Sequence, residues 1–191
     1  MSYHIYHSDA IVIGAHDHGE SDKIILCYSR SHGLVRTHAK SLRLGRSKLR
    51  YAVAPFRVAT IDFIRGRSGW KLTSAIPGKA FPDIYRSREK RMLVAQQFRL
   101  LTRMVHGEER HDALYEHLHD MLHHVEHAKY EMLRPLELLH TIRLLAHLGY
   151  WGGEYQEYAV GTIDQAMLER AEKDRRELVS LVNSALRMTH L

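Results

Sequence analysis

The segment between Asp22 and Asp62 contains no acidic residue. It contains nine basic residues: Lys23, Arg30, Arg36, Lys40, Arg43, Arg46, Lys48, Arg50 and Arg57. A solvated protein surface normally mixes both signs of charge, whereas the side chains that neutralise phosphates are basic. This distribution favours contact with nucleic acid or another polyphosphate. The alternative is a solvent-facing surface without a partner.

Histidine is the second residue type that could do chemistry. The chain has 16 histidines, and seven of them lie between His106 and His127. His119, His123 and His127 are spaced by four residues, which on a helix brings the imidazoles to one side, and two such rings can bind zinc. The HExxH motif is absent from the sequence, and no cysteine lies near the cluster. We therefore interpret these residues as a polar helix face, with a histidine-ligated metalloenzyme as the alternative.

Other patterns typical of enzymes are weak. The segment Gly66-Arg67-Ser68-Gly69 lacks the spacing of a phosphate-binding loop, and no GxSxG motif occurs. The single cysteine, Cys27, lies in an apolar run, where a buried and unreactive thiol is expected. The sequence therefore predicts a binding protein and not an enzyme.

Five aromatic residues are interleaved with the basic ones: Tyr28, Tyr51, Phe56, Phe63 and Trp70. Proteins hold single-stranded nucleic acid in a positive groove whose aromatic faces stack on the bases. We expect Phe56 and Phe63 to lie in the core. Tyr28, Tyr51 and Trp70 could either join the core or stack on bases.

The elements that position these residues change in character near Pro77. Before it, glycine-containing turns separate five runs typical of strands: Ala10–Ala15, Lys23–Ser29, Leu34–His38, Val53–Ile64 and Trp70–Ile76. Residues 39–50 are too polar for a strand and are predicted to form a basic loop. Five short strands in so few residues predict a small barrel or sandwich.

After Pro77 the apolar residues recur at helical spacing, which predicts four helices. The third begins near Pro135 and ends at Gly149, and Thr162 with Gln165 resembles a capping box that opens the fourth. The predicted fold class is α+β. A five-stranded barrel occupies residues 1–77, and a helical domain occupies residues 78–191.

Composition agrees with a globular protein that has an acidic partner. The chain has 191 residues, of which 45% are hydrophobic and 26% charged, with a net charge of +6. Residues 1–80 hold 13 basic and 5 acidic side chains, so the whole positive excess lies in the predicted barrel. The absence of a long apolar run, of a signal peptide pattern and of a second cysteine predicts a cytoplasmic location.

Several short motifs follow one another along the chain: Gly19-Glu20-Ser21-Asp22, Ala39-Lys40-Ser41-Leu42-Arg43, Ser47-Lys48-Leu49-Arg50, Pro55-Phe56, Ile142-Arg143-Leu144-Leu145 and Leu148-Gly149-Tyr150. This succession covers most of the chain and resembles the RecO family, whose members act in bacterial DNA repair and recombination. It implies an OB-fold barrel followed by a helical domain. It also implies a nucleoid-associated mediator that binds single- and double-stranded DNA, anneals complementary strands and works with RecR, single-strand DNA-binding protein and RecA.

The motifs and the charge pattern together select candidate DNA-binding residues. These are Arg36, Lys40, Arg43, Arg46, Lys48, Arg50 and Tyr51. The alternative function is that of a general OB-fold protein that binds single-stranded DNA or RNA outside recombination.

Two departures from the family pattern matter. Ser41 stands where the family's basic loop usually has glycine. Residues 151–160 contain no cysteine, whereas many relatives carry a cysteine-rich zinc module after the Leu-Gly-Tyr segment. We therefore expect neither zinc nor another cofactor.

Overall fold

Five strands close into a barrel in the computed structural model, which describes residues 4–45, 47 and 49–189. The strands are β1 (Ile5–His18), β2 (Asp22–Ser29), β3 (Gly33–Ala39), β4 (Val58–Gly66) and β5 (Gly69–Pro77). Their order around the barrel is β1-β2-β3-β5-β4, with β4 returning to β1. Only the β3–β5 pair is parallel, and the other four pairs are antiparallel. This is an OB-fold barrel, as the sequence predicted.

The barrel interior is filled by small and branched apolar side chains that alternate along the strands. In β2 and β3 the inward positions include Ile25, Cys27 and Val35, all fully buried. Burial raises the pKa of the Cys27 thiol to about 12, which keeps it protonated and unreactive. The 14-residue β1 pairs with both β2 and β4, and the register shifts between Val12 and Gly14. Such a bulge bends a strand and helps it to close a barrel.

The segment between β3 and β4 differs from the prediction. The expected strand over residues 53–64 begins only at Val58, and the expected loop ends in a short helix, α1 (Leu49–Ala52). Val53 is buried in the barrel core, and Leu49 packs against that core. The apolar residues before Val58 therefore cover the barrel interior instead of extending β4. Pro55 disfavours a helical conformation at the residue before it, which agrees with the end of α1 at Ala52.

Six helices form the rest of the described chain. They are α2 (Pro82–Arg86), α3 (Arg88–Met104), α4 (Asp112–His127), α5 (Leu133–His147), α6 (Gln165–Lys173) and α7 (Arg175–Met188). Short 3-10 turns cover Tyr130–Met132 and Gln156–Tyr158. Every helix within the described ranges is too short or too polar to span a lipid bilayer.

The number of helices was predicted wrongly, because the predicted fourth helix consists of two. Asp174 follows α6 and precedes α7, and its carboxylate accepts a hydrogen bond from the Tyr158 hydroxyl at 2.6 Å.

The predicted capping residue was also wrong. The Asp164 carboxylate, not Thr162, caps α6 by accepting a hydrogen bond from the Met167 N–H at 2.7 Å. The five-residue α2 was not predicted.

The chain forms two compact units. The first comprises Met1–Phe81 with His106–Tyr115, and the second comprises Pro82–Val105 with Glu116–Leu191. A separate core in the second unit includes Leu139, Ile142 and Leu178. The predicted boundary at residue 77 stays a prediction, although β5 ends at Pro77.

Candidate nucleic-acid interface

Hydrogen bonds join the turn between β1 and β2 to the basic segment that follows β3. The carboxylate of Asp22 accepts a hydrogen bond from the backbone N–H of Ser41 at 2.8 Å, and its other oxygen lies 2.8 Å from Nε2 of His38. The Ser41 N–H is the main cause that lowers the pKa of Asp22, and His38 contributes further. Asp22, the last residue of the Gly19-Glu20-Ser21-Asp22 motif, therefore fixes the start of the basic segment.

Arg43 is attached to the same turn. Its guanidinium donates a hydrogen bond to the Gly19 carbonyl at 3.0 Å, and its Nε lies 3.5 Å from an Asp17 carboxylate oxygen. Asp17 also pairs with Lys23 at 3.0 Å, and the hydrogen bond from Lys23 is the main cause that lowers the pKa of this carboxyl. Arg43 thus combines a structural role with its exposed charge.

Among the predicted DNA-binding residues, Arg36 and Lys40 have charged groups that stabilise no other part of the described structure. Both side chains are exposed, Arg36 on β3 and Lys40 just after it. Their charged groups make no ion pair or hydrogen bond with any other described residue. Arg50, on α1, is also exposed and donates a hydrogen bond to the Arg43 carbonyl at 2.6 Å. These three side chains, called here the open cations, are available to an anionic partner.

Two of the seven predicted residues, Arg46 and Lys48, lie outside the described residues. Their expected contact with DNA remains a prediction based on the sequence alone. The other five occupy β3, the segment after it and α1, so the structure brings them to consecutive parts of one barrel.

The aromatic residues separate into buried and exposed groups. Tyr28 and Trp70 are 1% and 4% exposed and are therefore unavailable for stacking on bases. Phe63 is fully buried in the core, as predicted. Phe56 is half-buried and not among the core residues, so its prediction was wrong. Tyr51 differs from all of these, because it is 64% exposed.

Arg57 is a functional candidate that was not among the predicted DNA-binding residues. It is only 6% exposed, and its guanidinium carbon lies 4.0 Å from the centroid of the Tyr51 ring. Its Nε is buried without a hydrogen-bond partner among the described residues. In the sequence it is simply one more basic residue, and only the tertiary fold places it beneath an exposed ring.

Replacing Ser41 with glycine should stabilise the barrel by about 1 kcal/mol, because a side chain in the left-handed region is strained and glycine is not. Ser41 has a φ of 53°, in that region. Glycine would retain the N–H that Asp22 accepts. The free energy of unfolding in urea measures the change. Gly45→Ser is the control, because a Cβ there meets nothing within 4 Å. A less stable Ser41→Gly protein would contradict the expectation.

The predicted histidine face exists, but the more buried histidines lie elsewhere. On α4 the rings of His119, His123 and His127 follow one another at 5.8 and 5.5 Å between centroids. No group of three or more His, Cys, Asp or Glu side chains in the described part of the chain is placed to hold a metal ion.

A second series of histidines lies inside the helical unit, between α4 and α5. Nδ1 of His124 lies 3.2 Å from Nε2 of the fully buried His140. The ring of His117 lies 5.3 Å from that of His140 and 5.2 Å from that of His147. This series was not predicted from the sequence. The sequence feature that could have revealed it is a spacing of seven residues, which separates His117 from His124 and His140 from His147.

Direct protein contacts hold the segment that follows α5. The guanidinium of Arg143 donates hydrogen bonds to the carbonyls of Tyr158, Val160 and Gly161. The Tyr155 hydroxyl donates to a Glu177 carboxylate at 2.6 Å. The expectation that this chain uses no cofactor stays a prediction.

Comparison with known proteins agrees with the barrel and its motifs. The family model described as "Recombination protein O N terminal" matches residues 1–77. A DNA repair protein RecO from Pelotomaculum thermopropionicum is 32% identical over 147 residues, which are 76% of this chain and 56% of that protein. Residues 1–77 therefore belong to the RecO N-terminal domain family. A DNA repair protein RecO from Desulfitobacterium hafniense strain DCB-2 is 25% identical over 146 residues, covering 76% of this chain and 52% of that relative. The chain therefore spans about half the length of the RecO proteins it matches.

Proposed function

We propose that this chain binds single- and double-stranded DNA through its barrel and acts in DNA repair and recombination without catalysing a reaction. The observation that carries the proposal is the set of open cations, Arg36, Lys40 and Arg50, on a barrel of this family. The matched relatives carry the name "DNA repair protein RecO", which supports the biological role.

The proposed mechanism is neutralisation of the DNA backbone. Each phosphate that meets a lysine or arginine releases condensed counterions, and this release supplies affinity that does not depend on sequence. Annealing brings two polyanionic strands together, so a basic surface that lowers their repulsion should accelerate it. Contacts to the backbone suit repair at arbitrary sites, because phosphates carry no sequence information directly.

The proposed partners follow from the family resemblance. They are RecR, single-strand DNA-binding protein and RecA, which this chain would help to load onto DNA. Binding of RecR, measured with purified proteins, would separate this role from that of a general OB-fold protein that binds single strands.

Replacing the open cations together, Arg36→Ala, Lys40→Ala and Arg50→Ala, should weaken DNA binding about 100-fold at about 0.1 M salt. At that concentration each lost contact to a single strand removes about fivefold in affinity. Fluorescence anisotropy with single-stranded and duplex DNA measures binding, and a complementary-strand assay measures the expected fall in annealing.

The matched control removes three exposed arginines of the helical unit, Arg99, Arg103 and Arg176. It changes the net charge by the same amount and leaves the barrel intact. Equal losses in the two triple variants would show that net charge, and not this surface, binds DNA. Unchanged binding by the barrel variant would exclude the proposed interface.

A further inference from the structure

We propose that the Tyr51 ring, backed by Arg57, is a stacking platform for one unpaired nucleobase, so that this part of the barrel prefers single strands to duplex DNA. The inference rests on the proposed DNA-binding function and specifies the state of the DNA at this site.

The platform has one covered face and one open face. The Arg57 guanidinium lies over the Tyr51 ring at 4.0 Å from its centroid and covers that face. Tyr51 is nevertheless 64% exposed, so the surface it presents to solvent is the opposite face and the ring edge. An exposed aromatic face of this kind is what a nucleobase stacks on.

Backbone contacts with β1 hold Arg57 in place. The Arg57 carbonyl accepts a hydrogen bond from the Val12 N–H at 2.8 Å, and the Phe56 N–H donates to the Val12 carbonyl at 2.8 Å. Phe56 has a φ of 61°, a left-handed conformation that is an outlier for a bulky side chain. Strain of this type persists where the surrounding structure enforces it and clusters at functional sites. The support beneath Tyr51 is thus built into the barrel wall.

The charge of Arg57 also points to a ligand. A buried cation is costly unless it is paired, yet Arg57 forms no ion pair with any described residue, and its Nε lacks a partner there. The Tyr51 ring supplies part of the compensation through its negative face. A nucleotide supplies both missing features, because it carries an aromatic base for the open face and an anionic phosphate for the nearby cations. The exposed Arg50 precedes Tyr51 directly in the chain.

The platform discriminates between the two forms of DNA. In a duplex both faces of an internal base are covered by its neighbours. A base can stack on a protein ring only after it has left that stack. Tyr51 should therefore add affinity for single strands and none for duplex DNA.

The test compares Tyr51→Ser with Tyr51→Phe, which keeps the ring. Tyr51→Ser should weaken binding of an oligothymidine of about 20 nucleotides by about 5- to 150-fold, the range for loss of one stacked base. Its affinity for a duplex, and for an abasic strand of the same length, should stay within about twofold of wild type. Tyr51→Phe should bind all three ligands as wild type does.

Two controls make the outcome specific. Tyr130→Ser removes a 73% exposed ring from the helical unit, and thermal unfolding confirms that each variant is folded. Equal losses for all three ligands, or no loss for oligothymidine, would overturn the stacking inference. If the open-cation variant still loses affinity in that case, the proposed DNA-binding function is retained and only the stacking inference is rejected. Undiminished binding by the open-cation variant would instead reject the proposed function.

Discussion

The helical unit should lose at least about 2 kcal/mol of stability between about pH 6.5 and about pH 4.5, because His117 is buried in its neutral form and the fully buried His140 adds to the loss. Burial lowers the pKa of His117 to about 3 and is also the main cause that lowers the pKa of His140. The positive potential of Arg143 and of the neighbouring histidines acts in the same direction.

The direction follows from proton binding. The unfolded chain takes up a proton at each of these rings below about pH 6.5, whereas the folded chain does not until the pH is much lower. The stabilisation is therefore complete above that pH and is lost as the pH drops, for His117 at about 1.4 kcal/mol per pH unit. Among the groups around the series, the carboxylate of Asp120 opposes the shift at His124.

Urea unfolding at several pH values, followed by helical circular dichroism, measures the effect. His140→Leu removes one of the two rings, so its free energy of unfolding should fall less steeply below about pH 6.5 than that of wild type. His119→Gln, on the same helix but outside the series, is the control and should keep the wild-type slope. The account of this core would be wrong if His140→Leu retained that slope.

Replacing Glu126 with alanine should destabilise the helical unit by about 2–4 kcal/mol, because it leaves two backbone donors without partners. The two oxygens of this buried carboxylate accept hydrogen bonds from the N–H groups of Asp83 and Ile84, each at 3.0 Å. These groups lie in the first turn of α2, where helix N–H groups lack partners within the helix. Glu126 thus caps α2 from α4.

The amide variant sharpens this test. Glu126→Gln keeps one acceptor oxygen but presents an NH2 group to the second N–H, so it should recover about half of the loss. The free energy of unfolding in urea measures both variants. Glu131→Ala, at an exposed position in the 3-10 turn before α5, should change stability by less than about 0.5 kcal/mol. A Glu126→Ala protein as stable as this control would refute the capping role.

The barrel was predictable because its strands carry their own pattern. Inward positions of β2 and β3 alternate with outward ones, and glycine turns separate the runs. The start of β4 was not predictable in the same way. An apolar residue at position 53 suits both a strand and a segment that covers the end of the barrel core. Only the closed barrel shows that Val53 does the second. The break between α6 and α7 at Asp174 was not predictable either, because the apolar residues keep almost the same helical spacing across it.

The candidate site was predictable as a charge pattern but not as an arrangement. A run of basic residues indicates a phosphate-binding surface, yet it does not distinguish Arg43, which pairs with Asp17, from the open cations. The burial of Arg57 beneath Tyr51 depends on contacts between residues that periodicity does not relate. The same limit applies to Glu126, whose partners lie more than 40 residues earlier in the chain.

The salt dependence of DNA binding tests the central proposal, that the open cations of the barrel contact the DNA backbone. Each phosphate contact to a single strand contributes about 0.7 to the slope of log affinity against log salt concentration. Replacing Arg36, Lys40 and Arg50 with alanine should therefore flatten the slope by about 2, for any oligonucleotide sequence. The control without Arg99, Arg103 and Arg176 should keep the wild-type slope. A folded barrel variant whose slope equals that of wild type would contradict the account.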